Sequence, residues 1–137
     1  MKAYTDLEQS KKLAEILSLE SADMRYGYIA PYEFSDRMYE GGYDDIPYPK
    51  DFMKKNPNFS EDEYDGECPC WSLAALLDVL PTIDDRNAVF CKDIRCDKWH
   101  VFYHGTATLP LIDIERCHDL VDACYEMIIK LNQQKLL

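Results

Sequence analysis

Cys70 is followed directly by Trp71 and then by the apolar run Ser72-Leu73-Ala74-Ala75-Leu76-Leu77-Asp78-Val79-Leu80. A thiol at the start of a helix lies among N–H dipoles that lower its pKa and favour the nucleophilic thiolate. His100 stands in an aromatic run downstream, where it would serve as base, and Asp113 would orient the imidazole. Together these three residues describe a small cysteine hydrolase. A second set, Cys68, Cys70, Cys91, Cys96, His100 and His104, has the residue types of a zinc site. Its spacing is unfavourable. Four residues apart on a strand, His100 and His104 would be about 13 Å from each other, too far to share one ion. Cys68 and Cys70 are spaced C-x-C, whereas zinc ribbons use C-x₂-C. Neither a metal ligand nor a cofactor is expected.

A third set is built for contact. Residues 26–67 hold seven of the ten tyrosines, four of the seven prolines, four of the five glycines, and eleven acids against four bases. Tyrosine offers a large, stiff contact area at low entropic cost, and carboxylates complement a basic partner. The candidate binding residues are Tyr39, Tyr43, Asp44, Asp45 and Tyr48, followed by the run Glu61, Asp62, Glu63, Tyr64 and Asp65. Most such charge runs are solvated loops. The sequence contains no P-loop, no dinucleotide-binding glycine motif, no H-E-x-x-H and no EF-hand loop, so the common nucleotide and metal enzymes find no support.

The elements that must position these residues can be read in part from the same sequence. Pro69 suits a first helical turn and Pro81 disfavours helix at Leu80, which predicts an apolar core helix over 69–80. Thr5-Asp6-Leu7-Glu8 has capping-box spacing, and an amphipathic helix is expected over 6–17. Tyr26 to Glu67 is too rich in Pro and Gly for a long helix or a regular central strand, and too rich in aromatics for disorder, so an ordered irregular segment is expected there. The runs Asn87-Ala88-Val89-Phe90-Cys91-Lys92 and Lys98-Trp99-His100-Val101-Phe102-Tyr103-His104 read as a β-hairpin over 87–104. Thr106 to Ile112 is a candidate third strand. Asp119 is a plausible N-cap for a C-terminal helix over 119–134, with Leu120, Val121, Cys124, Ile128 and Leu131 on one face. The expected fold is α+β: about three helices packed on a small antiparallel sheet, in a single domain spanning 1–137.

The 137 residues are enough for one unassisted hydrophobic core. A formal charge of −11 argues against direct binding to nucleic acid or to an anionic membrane. Met1-Lys2-Ala3-Tyr4-Thr5-Asp6 leads into a charged helix without a secretory h-region, so a cytoplasmic location with reduced thiols is expected.

Two resemblances add to this reading. Cys70-Trp71, with a histidine downstream, resembles the nucleophile position of papain-type cysteine peptidases. The match covers two residues and their order; Tyr64 stands where that family places an upstream glutamine, and no Trp-flanked Asn follows His100. More extensively, the opening Met1-Lys2-Ala3-Tyr4-Thr5-Asp6-Leu7-Glu8-Gln9-Ser10-Lys11-Lys12-Leu13-Ala14-Glu15-Ile16-Leu17, the run Pro69-Cys70-Trp71-Ser72-Leu73-Ala74-Ala75-Leu76-Leu77, and Val121-Asp122-Ala123-Cys124-Tyr125-Glu126-Met127-Ile128-Ile129-Lys130-Leu131 resemble a family of short uncharacterised bacterial proteins of gut Bacteroides-type genomes and mobile elements. That resemblance implies a cytoplasmic bacterial protein, accessory to a phage or conjugative element, and carries no activity. The leading expectation is therefore a non-enzymatic binding or inhibitor protein of anti-defence type. The alternatives are the Cys70 hydrolase and a small-ligand binder with a pocket near Trp71 or Trp99.

Overall fold

A computed structural model describes residues 1–50 and 67–137. Over these residues the fold is α+β, with three α-helices and several small antiparallel sheets. The chain divides into two compact units, Asp6–Trp71 and Met1–Thr5 with Ser72–Leu137.

In the Asp6–Trp71 unit, helix α1 (Leu7–Ala14) starts one residue later than the Thr5 capping box would place it. Asp6 is the N-cap. Its carboxylate accepts from Gln9 N–H (2.8 Å), and the Gln9 side chain accepts from Asp6 N–H (3.1 Å). The helix is also shorter than 6–17, with Glu15 as its C-cap and Leu17 N–H closing back on Leu13. A 3-10 turn at Leu19–Ser21 leads into six short strands: β1 (Met24–Tyr26), β2 (Tyr28–Ile29), β3 (Tyr32–Phe34), β4 (Arg37–Tyr39), β5 (Gly42–Tyr43) and β6 (Tyr48–Pro49). Strand β7 (Cys68–Cys70) completes a sheet ordered β6-β1-β7. The central strand β1 ends at Tyr26, where the segment expected to be irregular begins, and the described residues after it up to Lys50 hold only strands of two or three residues. Both flanking strands carry a proline, Pro49 and Pro69, and both are edges, where a missing N–H breaks no ladder bond.

That placement of Pro69 corrects the expected helix over 69–80. Pro69 lies opposite Arg25 in β7, and helix α2 runs only Leu73–Val79. Ser72 is its N-cap, with the hydroxyl accepting from Ala75 N–H (3.2 Å). Pro81 acts as read: Leu80 is extended (φ −63°, ψ 117°) and ends the helix. Only Ala75 and Leu76 are buried, while Ala74, Leu77 and Asp78 are exposed, so α2 is covered on one side rather than all round.

The remainder of the second unit is a meander, β8 (Val89–Asp93), β9 (Lys98–Tyr103) and β10 (Ile112–Cys117), in the order β10-β9-β8, with helix α3 (Leu120–Gln133) against one face. The hairpin lies within the predicted span, paired from Val89↔Phe102 to Asp93↔Lys98. The third strand falls after Pro110 rather than over 106–112. Residues there form a turn in which Thr106 N–H donates to Leu109 O and Leu109 N–H to Thr106 Oγ1. Strand alternation and helical spacing meet in one core. Val101, Tyr103 and Ile112 from the sheet pack with Ala123, Met127 and Leu131, which recur every four residues on α3. Asp119 takes the N-cap backbone conformation of α3, but its carboxylate accepts from the backbone N–H of Lys2 (2.8 Å) instead of from the helix. Lys2 Nζ pairs with Asp122 (2.8 Å), Leu73 N–H donates to Ala3 O, and Tyr4 bridges Ser72.

Tyr103 is fully buried and its hydroxyl donates to Pro81 O (2.7 Å). Burial, reinforced by neighbouring Cys124, pushes the phenol up to about 12, and burial pushes the Cys124 thiol up to about 12 as well. Both groups are raised above their ordinary values, so their contribution to stability is complete below about pH 9 and is lost as pH climbs from there towards 12. Denaturant titrations at stepped pH are expected to show a falling midpoint over that window. Tyr103→Phe, which orphans the Pro81 carbonyl, is expected to destabilise the protein by about 1–3 kcal/mol at neutral pH and to lessen the alkaline decline.

Candidate functional site

Two surfaces carry candidate residues, one in each unit. In the Asp6–Trp71 unit, residues 27–44 form an antiparallel arm in two segments. Its base is the β2/β5 pair, with Tyr28↔Tyr43, Ile29↔Gly42 and a bond from Asp44 N–H to Gly27 O. Its outer segment is the β3/β4 hairpin, with Tyr32↔Tyr39, Glu33↔Met38 and Phe34↔Arg37. Ser35 and Asp36 turn the hairpin with φ of 51° and 64°, the two positive values of a type I′ turn, whose twist matches that of the strands. Gly41 sits between the segments. A Cβ there would come within 2.0 Å of Ile29 O, so only glycine lets the backbones approach this closely.

Two-stranded ribbons are marginal in water, and this one is braced by aromatic pairs. Tyr32 stacks on Tyr39 (centroids 5.0 Å, 10° between planes) and Tyr28 meets Tyr43 at 4.9 Å. Lys11 Nζ lies 4.9 Å over the Tyr43 ring, which ties the base of the arm to α1. Every residue of β3 and β4 is exposed, including Phe34 at 67% and Met38 at 72%. Glu33, Asp36, Glu40 and Asp45 are exposed around them, with Arg37 the single base between Tyr28 and Tyr48.

The structure thus brings together Tyr39, Tyr43, Asp44 and Asp45 from the sequence-derived binding set. Tyr48 is engaged elsewhere. Its hydroxyl donates to Glu67 (3.3 Å), whose carboxylate also takes Arg25 at 2.6 Å, with the guanidinium over the Tyr48 ring. Glu61, Asp62, Glu63, Tyr64 and Asp65 lie outside the described residues. Tyr32, Phe34 and Met38 are exposed on the same hairpin and are absent from the sequence-derived set, because composition does not show which apolar side chains of a short ribbon stay in solvent.

In the other unit, the face of the meander opposite α3 carries Cys91, His100, Phe102, Asp113 and Glu115. His100 Nε2 lies 3.6 Å from Asp113 and 4.0 Å from Glu115. The pairing of His100 with Asp113 is the one read from sequence. Glu115 was not anticipated, because the third strand was expected to end at Ile112; in the observed register it follows Ile114, which faces Val101, and two residues after Asp113 it shares that residue's face, while a β-bulge adds Arg116 beside it opposite His100. The Phe102 ring contacts both His100 and His104, with centroids at 4.7 and 4.9 Å. An open groove of about 510 Å³ borders this cluster, lined by Cys91, Lys98, His100, Glu115 and Arg116 among others.

The third member of the hydrolase set is differently placed. Cys70 ends strand β7, three residues before the first residue of α2, and is fully buried. The helix-terminal N–H groups that would favour its thiolate belong to residues after Ser72, so the premise of the nucleophile reading is removed. Trp71 is equally buried, its indole N–H donating to Ser21 Oγ (2.9 Å). Burial pushes the Cys68 thiol up, against a smaller opposing effect of Lys11, and burial pushes Cys117 up with help from Glu126 and Asp122.

Among the described residues, no helix is long and apolar enough to cross a membrane. No protein-family profile, curated protein or solved structure matches the chain.

Thiol exposure predicts an order of alkylation under native conditions. Cys91 and Cys96, both exposed, are expected to react first, Cys117 more slowly, and Cys68, Cys70 and Cys124 only after denaturant is added. Peptide mapping after timed iodoacetamide treatment reads this order directly. Early labelling of Cys70 would restore the nucleophile reading.

Proposed function

We propose that this chain is a non-enzymatic binding protein of inhibitor type that engages a basic protein through the arm formed by residues 27–44. The observation that carries the reading is the β3/β4 hairpin, which holds Tyr32, Phe34, Met38 and Tyr39 in solvent on a ribbon with no core of its own. Clustered exposed apolar side chains rimmed by charge mark interaction surfaces, and aromatic and Met side chains are enriched at interface centres. The charge selects the partner's chemistry. Five carboxylates against one guanidinium between Tyr28 and Tyr48 repel nucleic acid and favour Lys/Arg-rich protein. The stacked tyrosines stiffen the arm before contact, which reduces the ordering cost of binding.

Resemblance of the helices to short bacterial proteins of mobile elements supports a cytoplasmic setting, with a host defence or nucleic-acid-binding protein as the class of target. The exposed residues Tyr39 and Asp45 from sequence, joined by Phe34 and Met38, would form the contact, with Tyr43 and Asp44 bracing the arm's base.

The test uses three immobilised baits on one lysate: the intact chain, Phe34→Ser/Met38→Ser, and Glu33→Lys/Glu40→Lys. Circular dichroism checks that each is folded. The intact chain is expected to retain a basic protein. Loss of the apolar pair should weaken its affinity by about 1–2 kcal/mol for each side chain that proves to be an anchor. Charge reversal should weaken capture most at low ionic strength, and binding by the intact chain should fall as salt rises to about 0.15 M. Equal capture by all three baits, or capture insensitive to salt, would overturn the proposal.

A further inference from the structure

We infer that His100, Asp113 and Glu115 form a binding site for a divalent first-row transition metal ion on the sheet face opposite α3. This inference is independent of the arm and concerns different residues of the other unit.

Three observations carry it. The first is the donor set. One imidazole nitrogen and two carboxylate oxygens all lie within 4.8 Å of one another, and this mixture suits Zn²⁺, Mn²⁺ or Fe²⁺. Two carboxylates also balance the charge of one divalent ion.

The second is the spacing. His100 Nε2 is 3.6 Å from Asp113 and 4.0 Å from Glu115, beyond the reach of a good hydrogen bond to either. Donors held about 2.0–2.2 Å from a common tetrahedral ion stand roughly 3.3–3.5 Å apart, so small side-chain adjustments bring all three to one centre. Nε2 is itself sheltered from solvent and has no hydrogen-bond partner among the described residues, although the ring as a whole is about a third exposed. A sheltered, unbonded imidazole nitrogen facing two carboxylates calls for an explanation, and an ion held between them supplies one.

The third is the backbone. The bulge at Glu115–Arg116 sets two residues against His100 and holds Arg116 at φ 62°, a costly conformation for arginine. A regular ladder continuing from Ile114↔Val101 would also set Glu115 against His100, so what the bulge adds is Arg116 beside it. Bulges are over-represented next to functional sites, and this one is located at the cluster. The Phe102 ring, 4.7 Å from the imidazole centroid, limits its rotation.

Three protein donors leave at least one coordination position for water or a ligand atom, the arrangement of an open rather than a closed site. The adjoining groove gives that position access, and Lys98 and Arg116 on its wall would favour an anionic oxygen ligand. Cys91 lies cross-strand from His100 on the same face, outside the group of converging donors, and is the residue most able to mislead a binding experiment.

The experiment titrates the metal-free full chain with Zn²⁺ alone by calorimetry and with Co²⁺ alone by visible absorption, alongside His100→Ala, Glu115→Gln, Asp113→Asn and Cys91→Ser/Cys96→Ser. One ion per chain is expected for the unaltered protein and for the double cysteine variant. Each of the other three variants is expected to weaken binding by more than about tenfold, the smallest loss typical even of outer-shell changes. The Co²⁺ spectrum should lack thiolate charge-transfer intensity. Zn²⁺ should raise the unfolding temperature of the unaltered chain and not that of Glu115→Gln, a near-isosteric change that leaves the sheet intact. The proposal is overturned if no ion binds, if His100→Ala leaves affinity unchanged, or if binding disappears with the two thiols while the Glu115→Gln chain retains it.

Discussion

The arrangement of the C-terminal unit depends on the burial of alternate side chains of β9 against α3. Val101 and Tyr103 are sealed beneath Ala123, Met127 and Leu131, and the strand cannot slip by one residue without exposing both and burying Lys98 and His100. The same constraint places His100 and Phe102 on the outer face, opposite Asp113. Tyr103 adds a polar anchor, since its hydroxyl reaches Pro81 and holds the end of α2 beside the sheet. A packing requirement on one face therefore sets the chemistry available on the other.

What could be read from residue order follows from how local each determinant is. The hairpin and α3 were legible because period-two and period-3.6 patterns survive without knowledge of the neighbours: Trp99, Val101 and Tyr103 alternate with charged or aromatic residues, and Val121, Cys124, Ile128 and Leu131 recur along a helix face. Pro81 was legible for the same reason, because its steric effect on Leu80 is intrinsic to the dipeptide. Pro69 was not. A proline is equally acceptable in a first helical turn and on a sheet edge, and only the pairing of Arg25 with Pro69 decides between them. With that choice misjudged, Cys70 was assigned to a helix start that belongs to Ser72.

The candidate sites divide similarly. The Tyr-rich, acidic character of the arm is a property of composition, visible at once, whereas the placement of Tyr48 in the Arg25–Glu67 cluster depends on a tertiary contact. His100 and Asp113 could be paired from their chemistry and order alone, as base and orienting acid. Glu115 joins them because the third strand starts at Ile112, later than expected, and puts residues 113 and 115 on one face. Among the described residues the thiols do not converge with the histidines: the group that does converge is one imidazole and two carboxylates, and the exposed thiols Cys91 and Cys96 fall outside it.

Residues 1–5 belong to the unit whose other residues follow Trp71, which bears on how the chain acquires its structure. Lys2 is fastened to Asp119 across 117 residues, and Ala3 and Tyr4 are fastened to the start of α2, whereas everything from Asp6 to Trp71 is contiguous. Closing a loop of that size carries an entropic penalty that grows only slowly with length, but the contact has to wait for both partners to exist. On a ribosome the intervening stretch is complete, and free to organise itself, while the first five residues still lack the surface they belong to. Completion of the unit formed by residues 1–5 and 72–137 thereby waits until α3 has emerged and can take up Lys2.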